Sequence, residues 1–412
     1  MLYAGEMRPW ARTRARLALA IAVAAGAVCA RSGGAGLARA QEVPITDRDY
    51  AIDSYQGPVL GSARILGMGG AVVALAEGSA TMLVNPASPA VRRATSTDEW
   101  DWDWHLDWLD SSSTQDYDND GRIRESELAQ SPLVTLGVVG QLRAWAVGIG
   151  GLITTRTITL DTGERLTPSI LIGRLVVARS FDERRVTVGL GLRTANFDLV
   201  RASGGAEDTL FALANASLEA GVVWQPADRN LRVGATAALP VVARDGSATC
   251  DPESCAGYIL PRAVSVPWEA SAGVAWRRAR TRWNQVIQAP FRDERSLIVS
   301  GDVVLTGATR DGHAFEAFLD KTLQPSGRAV SVSVRAGAEY EWLPGRLRVR
   351  GGSYWEPGRI TGADGRLHVT GGLEWRIWQV SLWRKPYRLQ VGITGDLARD
   401  YGNGGLSVGL WH

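Results

Sequence analysis

Residues 330–342 alternate without a break. Val330, Val332, Val334, Ala336, Ala338, Tyr340 and Trp342 fall on one face, and Ser331, Ser333, Arg335, Gly337, Glu339 and Glu341 on the other. A two-residue period places successive side chains on opposite faces of a β-strand. The pattern recurs at 185–193, 347–355 and 367–377, over the ~9–11 residues that a tilted strand needs to cross a bilayer. A strand with one apolar face can line a water-soluble sandwich, apolar side in, or a membrane barrel, apolar side out. The aromatic residues decide between them. In 99–109, Trp100, Trp102, Trp104, Leu106 and Trp108 share a face, against Asp101, Asp103, His105 and Asp107. The chain holds 16 Trp and only 6 Phe. An indole N–H needs a partner in a dry core and finds one at a membrane surface.

Fourteen strands are expected, beginning near 98, 132, 142, 168, 185, 209, 230, 264, 295, 329, 345, 366, 388 and 404. Long connections are read at 110–131, 154–167, 197–208, 243–263, 309–328, 356–365 and 397–404, and short ones lie between them. An even strand number with short turns at one end and long loops at the other is the pattern of a bacterial outer-membrane barrel. With the N-terminus periplasmic, every long loop lies outside. The fold class is therefore all-β, a transmembrane antiparallel β-barrel of about 14 strands (residues 96–412) with a small N-terminal hatch segment (41–95). One connection does not fit. The segment 277–295, with Arg277, Arg278, Arg280 and Arg282, is too long for a short turn, so it is either a helix under the barrel or a slip in the strand count.

Residues 1–40 read as a secretory signal: Arg8, Arg12, Arg14 and Arg16 precede an apolar run from Leu17 to Ala30, with a small-residue site at Ala38–Ala40. Six arginines and Glu6 leave with it, which takes the formal charge from +2 to −3. Nucleic acid is not an expected partner of such a chain. Cys250 and Cys255 then remain, five apart, and in an exported protein they read as a small disulfide loop.

Residues 61–90 are glycine-rich, built of small residues, and charged only at Arg64 and Glu77. They suit a compact plug inside a lumen. Ser62-Ala63-Arg64, Leu66 to Ala71 (with Gly67, Gly69 and Gly70) and Asn85-Pro86-Ala87 resemble the opening of the long-chain fatty-acid transporter family of outer-membrane proteins (FadL/TodX type). Val84 stands where that family has Trp or Tyr. The resemblance implies a 14-stranded barrel plugged by an N-terminal hatch, passive uptake of hydrophobic small molecules, and sideways release into the membrane. It makes Arg64, Gly67, Gly69, Gly70, Asn85, Pro86 and Ala87 hatch residues.

Residues 116–127 match a calcium loop position by position. Asp116, Asp118 and Asp120 stand at 1, 3 and 5, Gly121 at the turn, Arg122 offers its carbonyl at 7, and Glu127 is the bidentate ligand at 12. Hard oxygens at this spacing wrap a Ca2+ ion. Its expected role is to order the first external loop. Phe315, Phe318, Leu319 and Leu323 have helical spacing inside a long loop and are read as a cap on the barrel or a greasy surface that captures ligand. No nucleophile stands beside His105, and no Gly-x-Ser-x-Gly, zinc or nucleotide motif occurs, so no enzyme is expected. The final strand, Leu406 to His412, runs to the chain end as barrel-assembly signals do, though it ends in His rather than Phe.

The expectation is thus a monomeric channel in the outer membrane of a Gram-negative bacterium, with the lipid bilayer, the barrel-assembly machinery and hydrophobic compounds as partners. The alternative is a barrel that serves exported proteins as a secretion or surface-anchoring partner.

Overall fold

The computed structural model describes residues 43–411 except 56, 112–114, 124–131, 160–164, 204–205, 245–246, 249 and 256. The signal segment 1–40 and Glu127 lie outside the described residues. Fourteen antiparallel strands form a closed ring: β1 (Trp100–Ser111), β2 (Leu133–Leu142), β3 (Trp145–Thr155), β4 (Arg165–Phe181), β5 (Val186–Ser203), β6 (Ala206–Trp224), β7 (Leu231–Ala238), β8 (Glu269–Arg278), β9 (Leu297–Thr306), β10 (Ser331–Leu343), β11 (Leu347–Glu356), β12 (Arg366–Leu382), β13 (Lys385–Ala398) and β14 (Tyr401–Leu410). Each pairs with the next, and β14 closes on β1 with Gly409 opposite His105 and Asn403 opposite Ser111. Closure leaves no sheet edge in the wall, as a hydrocarbon environment requires.

The alternation read from the sequence sorts inside from outside. Leu190, Leu218, Val369 and Leu406 are each at least 60% exposed on the outer wall, while Asp101, Asp103, His105 and Asp107 are buried within. All fourteen expected strands are present. Two expected loops are not. β5 runs on through Ser203, β6 begins at Ala206, and β13 and β14 meet across residues 399–400. Asp198, Arg201, Glu207 and Asp208 give that hairpin a loop-like composition. Yet Phe197, Leu199, Phe211 and Leu213 still alternate inward and are buried, so the strands continue. The 277–295 segment is neither helix nor miscount. It is an irregular loop between β8 and β9 organised around Glu294, which accepts from Arg277 Nη2 (2.9 Å) and from the amides of Arg280 and Thr281 (both 3.0 Å). Burial raises the Glu294 carboxyl, but the hydrogen bonds from Thr281 and Arg277 outweigh it and hold it below the usual range.

The described residues do not start at the short-turn end. Ala51–Asp53 is a strand parallel to Ala263–Val266 and to Gly312–His313, and Val241–Arg244 completes that four-stranded sheet. Val43–Pro44 pairs with Thr322–Leu323. All the partners belong to long connections. The N-terminal segment therefore begins at the long-loop end, descends the lumen, and reaches the short-turn end where β1 starts. The expectation of a start at the opposite end fails because nothing in the composition of 43–55 marks it as pairing with the long connections.

Candidate functional site

Residues 57–96 fill the lumen. Their fold is local: Ser62 caps the helix α1 (Ala63–Gly67) by accepting from the Ile65 amide, and Gly69 and Gly70 continue the chain at φ +59° and +73°, where a side chain is strained. Asn85 ties the plug to itself, its Nδ2 donating to the Val73 carbonyl (2.8 Å) and its Oδ1 accepting from the Ala87 amide (2.9 Å), and reaches the Val222 carbonyl of the wall at 3.5 Å.

Part of the glycine excess, 47 residues in all, is explained where plug meets wall. A Cβ at Gly189 would collide with the Pro86 carbonyl, at Gly221 with the Asn85 side chain, at Gly234 with Val73, and at Gly337 and Gly352 with Met68 and Gly69. Each is a wall position that the plug approaches too closely for a side chain. Gly189→Leu and Gly337→Leu are therefore expected to displace the plug, at about 1–3 kcal/mol of overpacking each. Conductance in planar bilayers should rise for both. Gly351→Leu, where nothing lies within 4 Å, should behave as the unmodified protein.

Wall carboxylates hold plug amides. Asp103 accepts from the Ser79 amide (2.5 Å), Asp107 from Ala63 (2.9 Å) and Asp302 from Val73 (2.8 Å). His105 Nδ1 lies 3.0 Å from the Ser79 hydroxyl, so a hydroxyl does stand beside His105, contrary to the sequence-based expectation, and the pair adds a further contact between β1 and the plug. Below, Arg64 reaches Glu339 (3.2 Å) and Glu77 (3.5 Å), and Glu77 also pairs with Arg232 (3.2 Å). Arg350 bridges Glu339 and Glu374 at 2.6 Å each, and Arg348 pairs with Glu374 (3.1 Å) and Glu341 (3.5 Å). Four arginines thus balance four glutamates in a largely buried band. The sequence reading named Arg64 but missed its partners. Their signal was there: Glu339 lies directly opposite Arg350 and Glu341 opposite Arg348, at equal distance from the β10–β11 turn.

Above the plug is a cavity of about 130 Å³, open on one side. Val59, Leu60, Ile65, Leu83, Leu152 and Ile172 give it apolar walls, and Arg174, Arg193, Glu269 and Arg335 a charged border. A second cavity, of about 70 Å³, opens nearer the mouth beside Tyr55, Tyr117, Asp118 and Phe315. The helix α2 (Phe315–Leu319) sits there as an inward cap. Phe315 and Phe318 pack on Phe197 and Phe211 of the wall at ring separations of 5.4 and 6.4 Å. Phe318 and Leu319 are buried, and Phe315 and Leu323 half-buried. The greasy surface is therefore turned inward, because the extended β5–β6 hairpin supplies aromatic partners, Phe211 from an expected strand and Phe197 from an expected loop.

The first half of the calcium-type loop is formed. Carboxylate oxygens of Asp116, Asp118 and Asp120 lie within 4.8 Å of one another. The Gly121 amide donates to Asp116 (2.8 Å) and the Arg122 amide to Asp120 (2.7 Å), with Gly121 at φ +83°. Arg366 grips this loop through the Asp116 carbonyl (2.6 Å) and pairs with Glu356 (2.6 Å). His368 stands between Glu356 (2.6 Å) and Asp396 (2.9 Å), and Tyr354 joins Asp396 (2.6 Å) to the Val59 amide of the plug (3.0 Å). Cys250 and Cys255 have their Cα atoms 5.3 Å apart, within disulfide reach.

These features define a class: a closed 14-stranded β-barrel with an apolar outer wall and a lumen plugged by its own N-terminal segment. No family model matches the chain, and none of the curated proteins does. Among solved structures it is similar to a Pseudomonas aeruginosa FadL homologue, at 12% identity and a TM-score of 0.48 over 86% of this chain and 98% of that one. It is similar also to the Pseudomonas putida toluene transporter TodX (13%, 0.48, over 87% and 99%), and to an outer-membrane channel of Pseudomonas putida F1 (13%, 0.37, over 75% and 94%).

Proposed function

We propose that the protein is an outer-membrane channel for passive uptake of hydrophobic compounds, its lumen gated by residues 57–96. The observation that carries this is an apolar-walled cavity closed from below by a plug held through hydrogen bonds, ion pairs and side-chain packing. Such contacts can be exchanged without breaking a covalent bond or a wall strand. The apolar outer wall fits a bilayer, and the barrel is read as a monomer delivered by the barrel-assembly machinery. The resemblance in Ser62–Ala71 and Asn85–Ala87 points to long-chain fatty acids or similar molecules as cargo. A secretion or surface-anchoring partner would need a protein-sized groove at the long-loop end, where the described residues instead form a four-stranded sheet over the mouth. Vesicles carrying the protein should take up a fluorescent fatty acid faster than empty ones; equal rates would end the transport reading.

The loop 116–127 is read as a Ca2+ site, with Asp116, Asp118, Asp120, the Arg122 carbonyl and Glu127 as ligands and dissociation constants on the order of 10⁻⁴–10⁻³ M. Millimolar Ca2+ should raise the unfolding temperature, and Asp116→Ala with Glu127→Ala should remove that rise. If the unmodified protein shows no rise, the loop is only acidic.

A further inference from the structure

The two ends of the barrel differ in the ring of residues facing outward. At the short-turn end an aromatic side chain closes nearly every hairpin: Trp145, Phe181, Trp224, Trp276, Trp342 and Trp383 are 40–66% exposed. Cations stand on or just beyond these rings. Arg179 is the most telling. It occupies the outward row of β4 between Val177 and Phe181, directly opposite Trp145 of β3 and Val188 of β5. Its guanidinium carbon lies 4.9 Å from the Trp145 and Phe181 ring centres. Arg278 follows Trp276, Arg346 lies in the turn after Trp342, and Arg384 follows Trp383 at the tip of the β12–β13 hairpin. All four arginines are exposed. Among the described residues, no carboxylate lies within ion-pairing distance of any of them.

An arginine in a row of lipid-facing side chains is tolerated where its head reaches the phosphate layer, and stacking on aromatic faces fixes it there. The pairless arginines and the indoles share one level of the wall, so their natural complement is a negative group at an apolar boundary. We propose that this collar is a docking surface for anionic phospholipid headgroups of the periplasmic leaflet, with Arg179, Trp145 and Phe181 as its best-formed site. The inference rests on the bilayer reading above and adds a lipid preference to it.

The test uses the full-length mature protein in vesicles of equal parts phosphatidylcholine and phosphatidylglycerol, extracted gently and weighed with its retained lipids by native mass spectrometry. Phosphatidylglycerol should be enriched over phosphatidylcholine. Arg179→Gln, Arg346→Gln and Arg384→Gln together should cut the enrichment by roughly fivefold or more, and the matching lysine exchanges should keep most of it. Arg165→Gln, Arg262→Gln and Arg310→Gln, at the long-loop end, should leave it unchanged. Absence of enrichment, equal loss in both sets of variants, displacement of the lipid by inorganic phosphate, or a mass showing a second copy of the chain in the lipid's place would each overturn the proposal. Failure of the protein to enter vesicles at all would instead overturn the bilayer reading.

Discussion

Glu339→Gln should loosen the plug more than any other single exchange in the lumen. The carboxylate is buried and accepts from Arg64 on the plug and Arg350 on the wall, with Arg348 at 3.7 Å. A neutral amide leaves three guanidinium groups facing one another with one negative charge fewer in a largely buried band. Removing one partner from a buried ionic cluster typically costs about 3–5 kcal/mol, because the remaining charges lose their compensation without regaining water. The expected result is a clear drop in the urea midpoint of the protein refolded in vesicles, and a higher ion conductance, since Arg64 is the plug's main charged tether. The double variant Arg64→Met with Glu339→Gln should recover part of the loss by removing one cation with the anion. An unchanged midpoint and conductance in the single variant would show that the plug is held elsewhere.

The second large effect is a covalent lock. A Cβ built at Gly273 of β8 falls 3.2 Å from the Val73 Cβ of the plug, close to the separation found in disulfides. Val73→Cys with Gly273→Cys should oxidise spontaneously, pinning the plug to the wall. Fatty-acid uptake into vesicles should fall to the level of empty vesicles and return with a reductant. Each single cysteine variant controls for the crowding of Asp302, whose side chain must shift to admit a Cβ at Gly273. Full uptake by the oxidised double variant would mean that cargo passes without plug movement at this point. The gate would then lie elsewhere along 57–96 or in the loops.

The barrel was legible because its information is local. A period of two in each strand, aromatic residues at the strand ends and alternating connection lengths are visible without knowing which strand pairs with which. The errors occurred where composition and period disagree. The β5–β6 hairpin carries Arg201, Glu207 and Asp208, yet its inward row Phe197, Leu199, Phe211 and Leu213 keeps the strand period. The plug was legible as a small-residue segment, but its direction through the lumen was not. Nothing in Tyr50 to Asp53 announces that it will pair with residues more than 200 positions away. Several glycines of the wall, Gly189, Gly221 and Gly234 among them, are explained only by the plug lying against them. The acidic half of the calcium-type loop took the expected turn because each amide–carboxylate bond in it spans five residues or fewer.

The seam between β14 and β1 has a bearing on biogenesis. The plug leads straight into β1, and β1 meets the last strand of the chain. The first and last strands can therefore zip together only after every other strand has been made, whereas the plug is synthesised before any of them. A wall that curls around a segment already lying on its inner surface never has to pass a chain end through a filled pore. The moorings from Asp103, Asp107 and His105 sit on β1 itself, so the strand that begins the ring is also the one that carries its stopper to the place where the ring will shut.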